Sequence, residues 1–187
     1  MEKTRQRWNV KTLVYTAILI ALNLVLTRML VIDLGAYRIS LGSVCTILAG
    51  LWMGPVIGGM CGALSDVIGC FMVGYAVNPL ITVAAILWGV LPAVARPLFV
   101  NLGKKGKTIG LCGVILLTGA LSSLVVTTAG LVWILGYNFY AIMPGRLVQF
   151  AIMMPTYCVV TSLLYFSPLT GIVIGTLRPA VMKKKIV

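Results

Sequence analysis

Long apolar runs broken by short polar connections set the pattern of this chain. Six runs approach the roughly 20 residues that a helix needs to cross a hydrocarbon core. They cover 12–31, 39–53, 55–73, 79–99, 108–136 and 146–166. None alternates with period two, and backbone in lipid must satisfy its hydrogen bonds internally, so each run is predicted to be helical. The expected architecture is an all-α membrane protein, with residues 1–187 forming a single bundle of six transmembrane helices. The second run is short, and the fifth is long enough to imply tilt or extension past the membrane surface. The opening run is too long and too uninterrupted for a cleavable signal peptide. Beyond Pro168 the apolar piece 170–177 is too short to cross again. It is expected to prolong the last helix or to lie at the interface.

Composition supports this reading. Charged residues make up 10% of the chain, whereas a soluble domain carries roughly 25% to solvate its surface. Mean hydropathy is +1.09. The formal net charge of +12 then reads as topology. Cytoplasmic loops carry the excess of Lys and Arg. With six spans, one side holds Lys3, Arg5, Arg7, Lys11, Arg96, Lys104, Lys105, Lys107, Arg178, Lys183, Lys184 and Lys185. The other side holds only Arg28, Arg38 and Arg146. This split puts both termini, including the basic tail 178–187, in the cytoplasm of a plasma-membrane protein. A nucleic-acid partner is not expected, because the charges flank membrane ends and form no single patch.

Several chemistries are missing. The chain has no His, and its only carboxylates are Glu2, Asp33 and Asp66. Acid–base catalysis has almost nothing to work with, so the chain is not expected to be an enzyme. Gly106-Lys107-Thr108 resembles the end of a phosphate-binding loop, but Asn101 stands where the first Gly belongs and no strand precedes it. Energy for any transport must come from a partner or an ion gradient. The five cysteines lie in apolar segments without metal-ligand spacing, so neither a metal nor a cofactor is implied. No internal repeat is visible, which argues against a stand-alone secondary transporter.

Recognition chemistry collects at the outer end. Arg28 is placed at the end of the first helix, Arg38 at the start of the second and Arg146 at the start of the last. A single such Arg commonly snorkels to the headgroups. Three together, on the side depleted of Arg, offer forked donors suited to carboxylates. Trp133, Tyr137 and Tyr140 recur at helical spacing, with Tyr75 in a neighbouring loop. They read either as an interfacial belt or as a stacking surface for a flat ring. On the last helix Arg146, Gln149, Phe150, Met153 and Tyr157 share a face that grows apolar with depth. Asp66 lies about two-thirds of the way along an outward-going helix, and a carboxylate at that depth marks function. It either pairs with Arg38 or Arg146, or accepts hydrogen bonds from ring N–H groups, with Asn78 as a further donor and acceptor. Gly58, Gly59, Gly62 and Ala63 space small residues four apart, the pattern of close helix packing.

These residues carry a resemblance. Arg38-Ile39-Ser40-Leu41-Gly42, Ala49-Gly50-Leu51-Trp52-Met53-Gly54-Pro55, Ser65-Asp66-Val67-Ile68-Gly69, and Arg146-Leu147-Val148-Gln149 with Met154-Pro155 are similar to the substrate-binding S component of energy-coupling factor (ECF) vitamin transporters. The folate group is the nearest, with a pantothenate-type or other vitamin as the alternative. The resemblance implies a subunit that binds its vitamin from outside and works with a transmembrane coupling subunit and two cytoplasmic ATPases. It implies that Ala17 and Ala21, in Ala17-Ile18-Leu19-Ile20-Ala21, face the coupling subunit. Folate joins a flat pterin to an anionic tail. The expected site is therefore Asp66 or Asn78 at the pterin edge, Trp133 and Tyr137 for stacking, and Arg28, Arg38 and Arg146 for carboxylates. One geometric difficulty accompanies this assignment. Arg28 follows Ala21 by seven residues, hence is only about 20° away around an ideal helix, and one face cannot serve both the pocket and a partner.

Overall fold

The computed structural model of the protein describes residues 10–30, 32–33, 38–100 and 103–177. It is a multi-pass helical membrane bundle; among the described residues five helices are long and apolar enough to cross a bilayer, and one apolar helix is shorter. Helix α1 (Val10–Leu24) continues as a π-helical turn, Val25–Met29. Two short strands follow, β1 (Ile32–Asp33) and β2 (Arg38–Ile39), paired antiparallel. Then come α2 (Gly42–Met53), α3 (Pro55–Val73) and α4 (Pro79–Val100). Helix α5 (Lys104–Gly119) runs through a second π-helical stretch, Ala120–Thr127, into α6 (Thr128–Trp133). Helices α7 (Phe139–Phe166) and α8 (Pro168–Leu177) follow.

Two expectations are corrected, and a third is narrowed. The second helix begins at Gly42, so Arg38 lies in β2 and does not open a helix. Ile32 and Ile39 are β-branched and pair across this ribbon, where an extended backbone suits them. The last long helix begins at Phe139, seven residues before Arg146. Asn138 caps it, its side chain accepting a hydrogen bond from the Tyr140 amide at 3.0 Å. Arg146 is therefore about two turns inside the helix. Of the two courses expected for 170–177, simple prolongation of α7 is the one that does not hold. The chain breaks at Ser167 and restarts as α8, anchored where Trp52 Nε1 donates to Thr170 Oγ1 at 3.0 Å.

Lipid offers no hydrophobic drive for helices to associate, so close backbone approach must hold the bundle together. The glycines of α2, α3 and α4 provide it. A Cβ on Gly50 would run into the Gly89 carbonyl, and one on Gly62 into the Ala85 carbonyl. Gly58 meets both Gly50 and Gly89. With twelve residues, α2 is only about 18 Å long. All but Ser43 and Trp52 of its residues are buried, and such a short element at membrane depth is tolerated where protein surrounds it. Its face packs with Trp88, Phe99, Leu111, Ile115, Met153, Met154 and Tyr157 in the main core. Asn23 ties α1 to α2 by donating to the Gly42 carbonyl at 2.9 Å and to Thr46 Oγ1 at 2.8 Å.

Candidate functional site

A cavity of about 700 Å³ lies where α1 and α3 end and α4 and α7 begin. That volume falls within the usual range for small-molecule sites. Four local features of the backbone shape it.

The first two are the π-helical stretches. An i→i+5 ladder turns less per residue than an α-helix, and such bulges often mark functional sites. In the first stretch, the slower turn rotates Arg28 away from the face of Ala21. Ala17 and Ala21 are exposed on the outside of the bundle, while Arg28 lines the cavity. The geometric difficulty posed by an ideal helix is thereby removed. In the second stretch, Thr127 Oγ1 donates to the Ser122 carbonyl at 2.9 Å, five residues back. Ser123 and Thr127 line the cavity, and Ser122 Oγ fixes the stretch to α4 by donating to the Ala84 carbonyl at 2.7 Å.

The other two features are glycines with positive φ. Gly74 (φ 75°) ends α3, and the amide of Tyr75 donates back to the Cys70 carbonyl at 3.0 Å. Gly136 (φ 71°) follows α6, and the amide of Tyr137 donates to the Leu131 carbonyl at 3.2 Å. Both are the left-handed stop that glycine allows. Each delivers a tyrosine, Tyr75 or Tyr137, to the cavity wall.

Charged groups stand inside this frame. Arg146 lines the cavity from α7 with only 6% of its surface exposed. The Arg28 guanidinium lies against Gly69, where an added Cβ would sit 2.5 Å from Nε, and its Nη2 reaches Cys70 Sγ at 3.9 Å. Asp66 faces both this cavity and a smaller chamber of about 110 Å³ that shares Arg28, Ser43 and Trp88 with it. Thr82 Oγ1 donates to Asp66 Oδ2 at 2.7 Å. Among the described lining residues two guanidinium groups face one carboxylate, which favours an anionic ligand. Gln149, Phe150, Met153 and Tyr157 continue inward from Arg146 along α7. Trp88 and Tyr157 meet edge to face at 5.3 Å, and Tyr157 Oη donates to the Ser40 carbonyl at 2.8 Å.

The sequence-derived residues thus fall into groups. Arg28, Asp66, Tyr75, Asn78, Tyr137, Arg146 and Gln149 all line the cavity. Asn78 does so with its amide already engaged, since Nδ2 donates to the Gly130 carbonyl at 3.0 Å and Oδ1 accepts from the Leu80 amide at 3.1 Å. It joins α4 to α6, and this limits what it can offer a ligand. Trp133 is a correction. It is 80% exposed and does not line the cavity. The expected face of Trp133, Tyr137 and Tyr140 does not exist, because α6 ends at Trp133 and a new helix begins at Phe139. The side chain of Arg38 lies outside the described residues. Ser40, Ser43, Ser123 and Thr127 line the cavity without having been singled out. Small hydroxyl residues in an apolar run carry no distinctive spacing.

Residues 11–181 match the family described as ECF transporter, substrate-specific component. The folate transporter FolT of Clostridium novyi (strain NT) is 31% identical over 161 residues, spanning 81% of this chain and 86% of that relative. A crystal structure of FolT bound with folic acid matches at TM-score 0.71 and 24% identity, covering 83% of this chain and 93% of that one. This last agreement is one of fold. The family's role is substrate binding for transport, and it is not a family of enzymes. A match over nearly the whole length, a bundle of the same fold and a polar cavity within it together place the chain among the substrate-specific components of the ECF transporters.

Proposed function

We propose that this chain binds folate at the outer face of the plasma membrane and passes it inward together with a coupling subunit and two cytoplasmic ATPases. The observation that carries the ligand is the cavity itself. It combines two guanidinium groups, one carboxylate and three tyrosines, Tyr75, Tyr137 and Tyr157, at the end of the bundle opposite the start of α1. The identity to a folate transporter supports the same choice. In this reading Asp66 accepts from the N–H edge of the pterin, Tyr75 and Tyr137 flank the ring, and Trp88 and Phe150 form the apolar floor. Arg28 and Arg146, with Arg38 from the neighbouring ribbon, take the carboxylates of the tail. The distribution of Lys and Arg supports both termini inside and the cavity mouth outside. Ala17 and Ala21 then present a small-residue face to the coupling subunit, where close helix approach is possible.

Uptake tests this assignment. Cells that contain the chain, a coupling subunit and both ATPases should accumulate labelled folic acid, and omission of any one component should abolish it. Accumulation of a different vitamin, uncontested by folic acid, would retain the transport role and discard the ligand. Accumulation without the ATPases would point to a carrier that works alone.

A further inference from the structure

We infer that Thr82, a residue outside the cavity, is a positioning residue that sets the orientation of the Asp66 carboxylate toward the ligand. The inference rests on the folate reading, since it concerns which oxygen of Asp66 meets the ring. Its basis is the register between α3 and α4. These antiparallel helices are locked where Gly58 meets Gly89 and Gly62 meets Ala85, contacts that leave no room for a Cβ on the glycines. Stepping four residues along α3 from Gly62 reaches Asp66, and stepping three residues back along α4 from Ala85 reaches Thr82. The same stripe that packs the two backbones therefore ends in the pairing of Thr82 Oγ1 with Asp66 Oδ2 at 2.7 Å.

The Thr82 hydroxyl has one proton and two acceptors within reach. Besides Asp66 it lies 3.2 Å from the Asn78 carbonyl, the usual acceptor for a threonine inside a helix. That carbonyl already accepts from the Thr82 amide at 3.0 Å. The approach to Asp66 is the shorter of the two and has the usual length of a well-formed O–H···O hydrogen bond. The proton belongs there. With Oδ2 held from α4, the carboxylate loses its freedom to rotate, and Oδ1 is left to accept from the ligand. Preorganisation of this kind strengthens binding by cutting the ordering cost.

Titration of the full-length protein with folic acid decides the point, using Thr82→Val, Thr82→Ser, Asp66→Ala and the Thr82→Val/Asp66→Ala double variant. Thr82→Val keeps the shape and removes the hydroxyl, and should weaken binding about tenfold, the scale of one hydrogen bond to a charged group. Thr82→Ser should restore it. In the Asp66→Ala background, where no acceptor remains at residue 66, Thr82→Val should cost nothing further, because the residue acts through Asp66. If Thr82→Val fails to fold, Thr82→Ala replaces it in both backgrounds. Wild-type affinity in the hydroxyl-free variant, or losses that simply add in the double variant, would overturn the role of Thr82 while leaving the folate reading intact. A wild-type protein that binds no folic acid would overturn both.

Discussion

Arg28 shows how much of this site depends on single contacts. Its guanidinium lies flat against α3 because residue 69 has no side chain. Gly69→Ala would put a methyl group into that space, and the flexible Arg would yield more readily than the helix. The expected outcome is a stable protein, shifted by less than about 1 kcal/mol, that binds its anionic ligand roughly tenfold more weakly. Calorimetry alongside a thermal melt separates the two effects. Tyr137 and Trp133 make a complementary pair. They are only four residues apart, yet Tyr137 lines the cavity and Trp133 faces outward at 80% exposure. Tyr137→Ala should reduce affinity, whereas Trp133→Ala should leave it unchanged. A loss with Trp133→Ala would return that indole to the site.

Among the elements, α3 and α4 form the part of the scaffold least able to change. Gly62→Val would drive a branched side chain into the Ala85 carbonyl, a backbone group that cannot rotate away. Overpacking of this kind costs about 1–3 kcal/mol, and a clear drop in melting temperature should accompany it. Much of this level was legible in the sequence. The four-residue spacing of Gly58 and Gly62 announced close packing, and the residues that follow Arg146 along α7 at helical spacing do line the cavity. Other features were hidden for physical reasons. Hydropathy resumes only after a charged residue, so it puts the helix start at Arg146, whereas the cap at Asn138 marks the real one. The π-helical stretches leave no trace in composition, since any apolar run can carry an i→i+5 ladder. Yet they are what turns Arg28, Ser123 and Thr127 inward. That Tyr75 and Tyr137, each just after a glycine of positive φ, share one wall depends on the tertiary fold.

On the scale of the whole molecule, α1 links two surfaces. Its outer face exposes Ala17 and Ala21, and its π-helical end places Arg28 in the cavity. Ligand binding and assembly should therefore be separable by mutation. Ala17→Trp or Ala21→Trp should prevent co-purification with the coupling subunit while leaving folic acid affinity at the wild-type value. Reduced affinity with assembly preserved would reverse the assignment of the faces. The charged cavity between α1, α3 and α7 is the proposed seat of an anionic ring compound. The most direct measurement is a calorimetric titration of the purified full-length protein with folic acid, run beside Arg146→Ala. A ligand held there should give saturable binding at a single site, weakened at least about tenfold once the buried guanidinium is removed. Absence of binding to the wild-type protein, or equal affinity in the two, would contradict it.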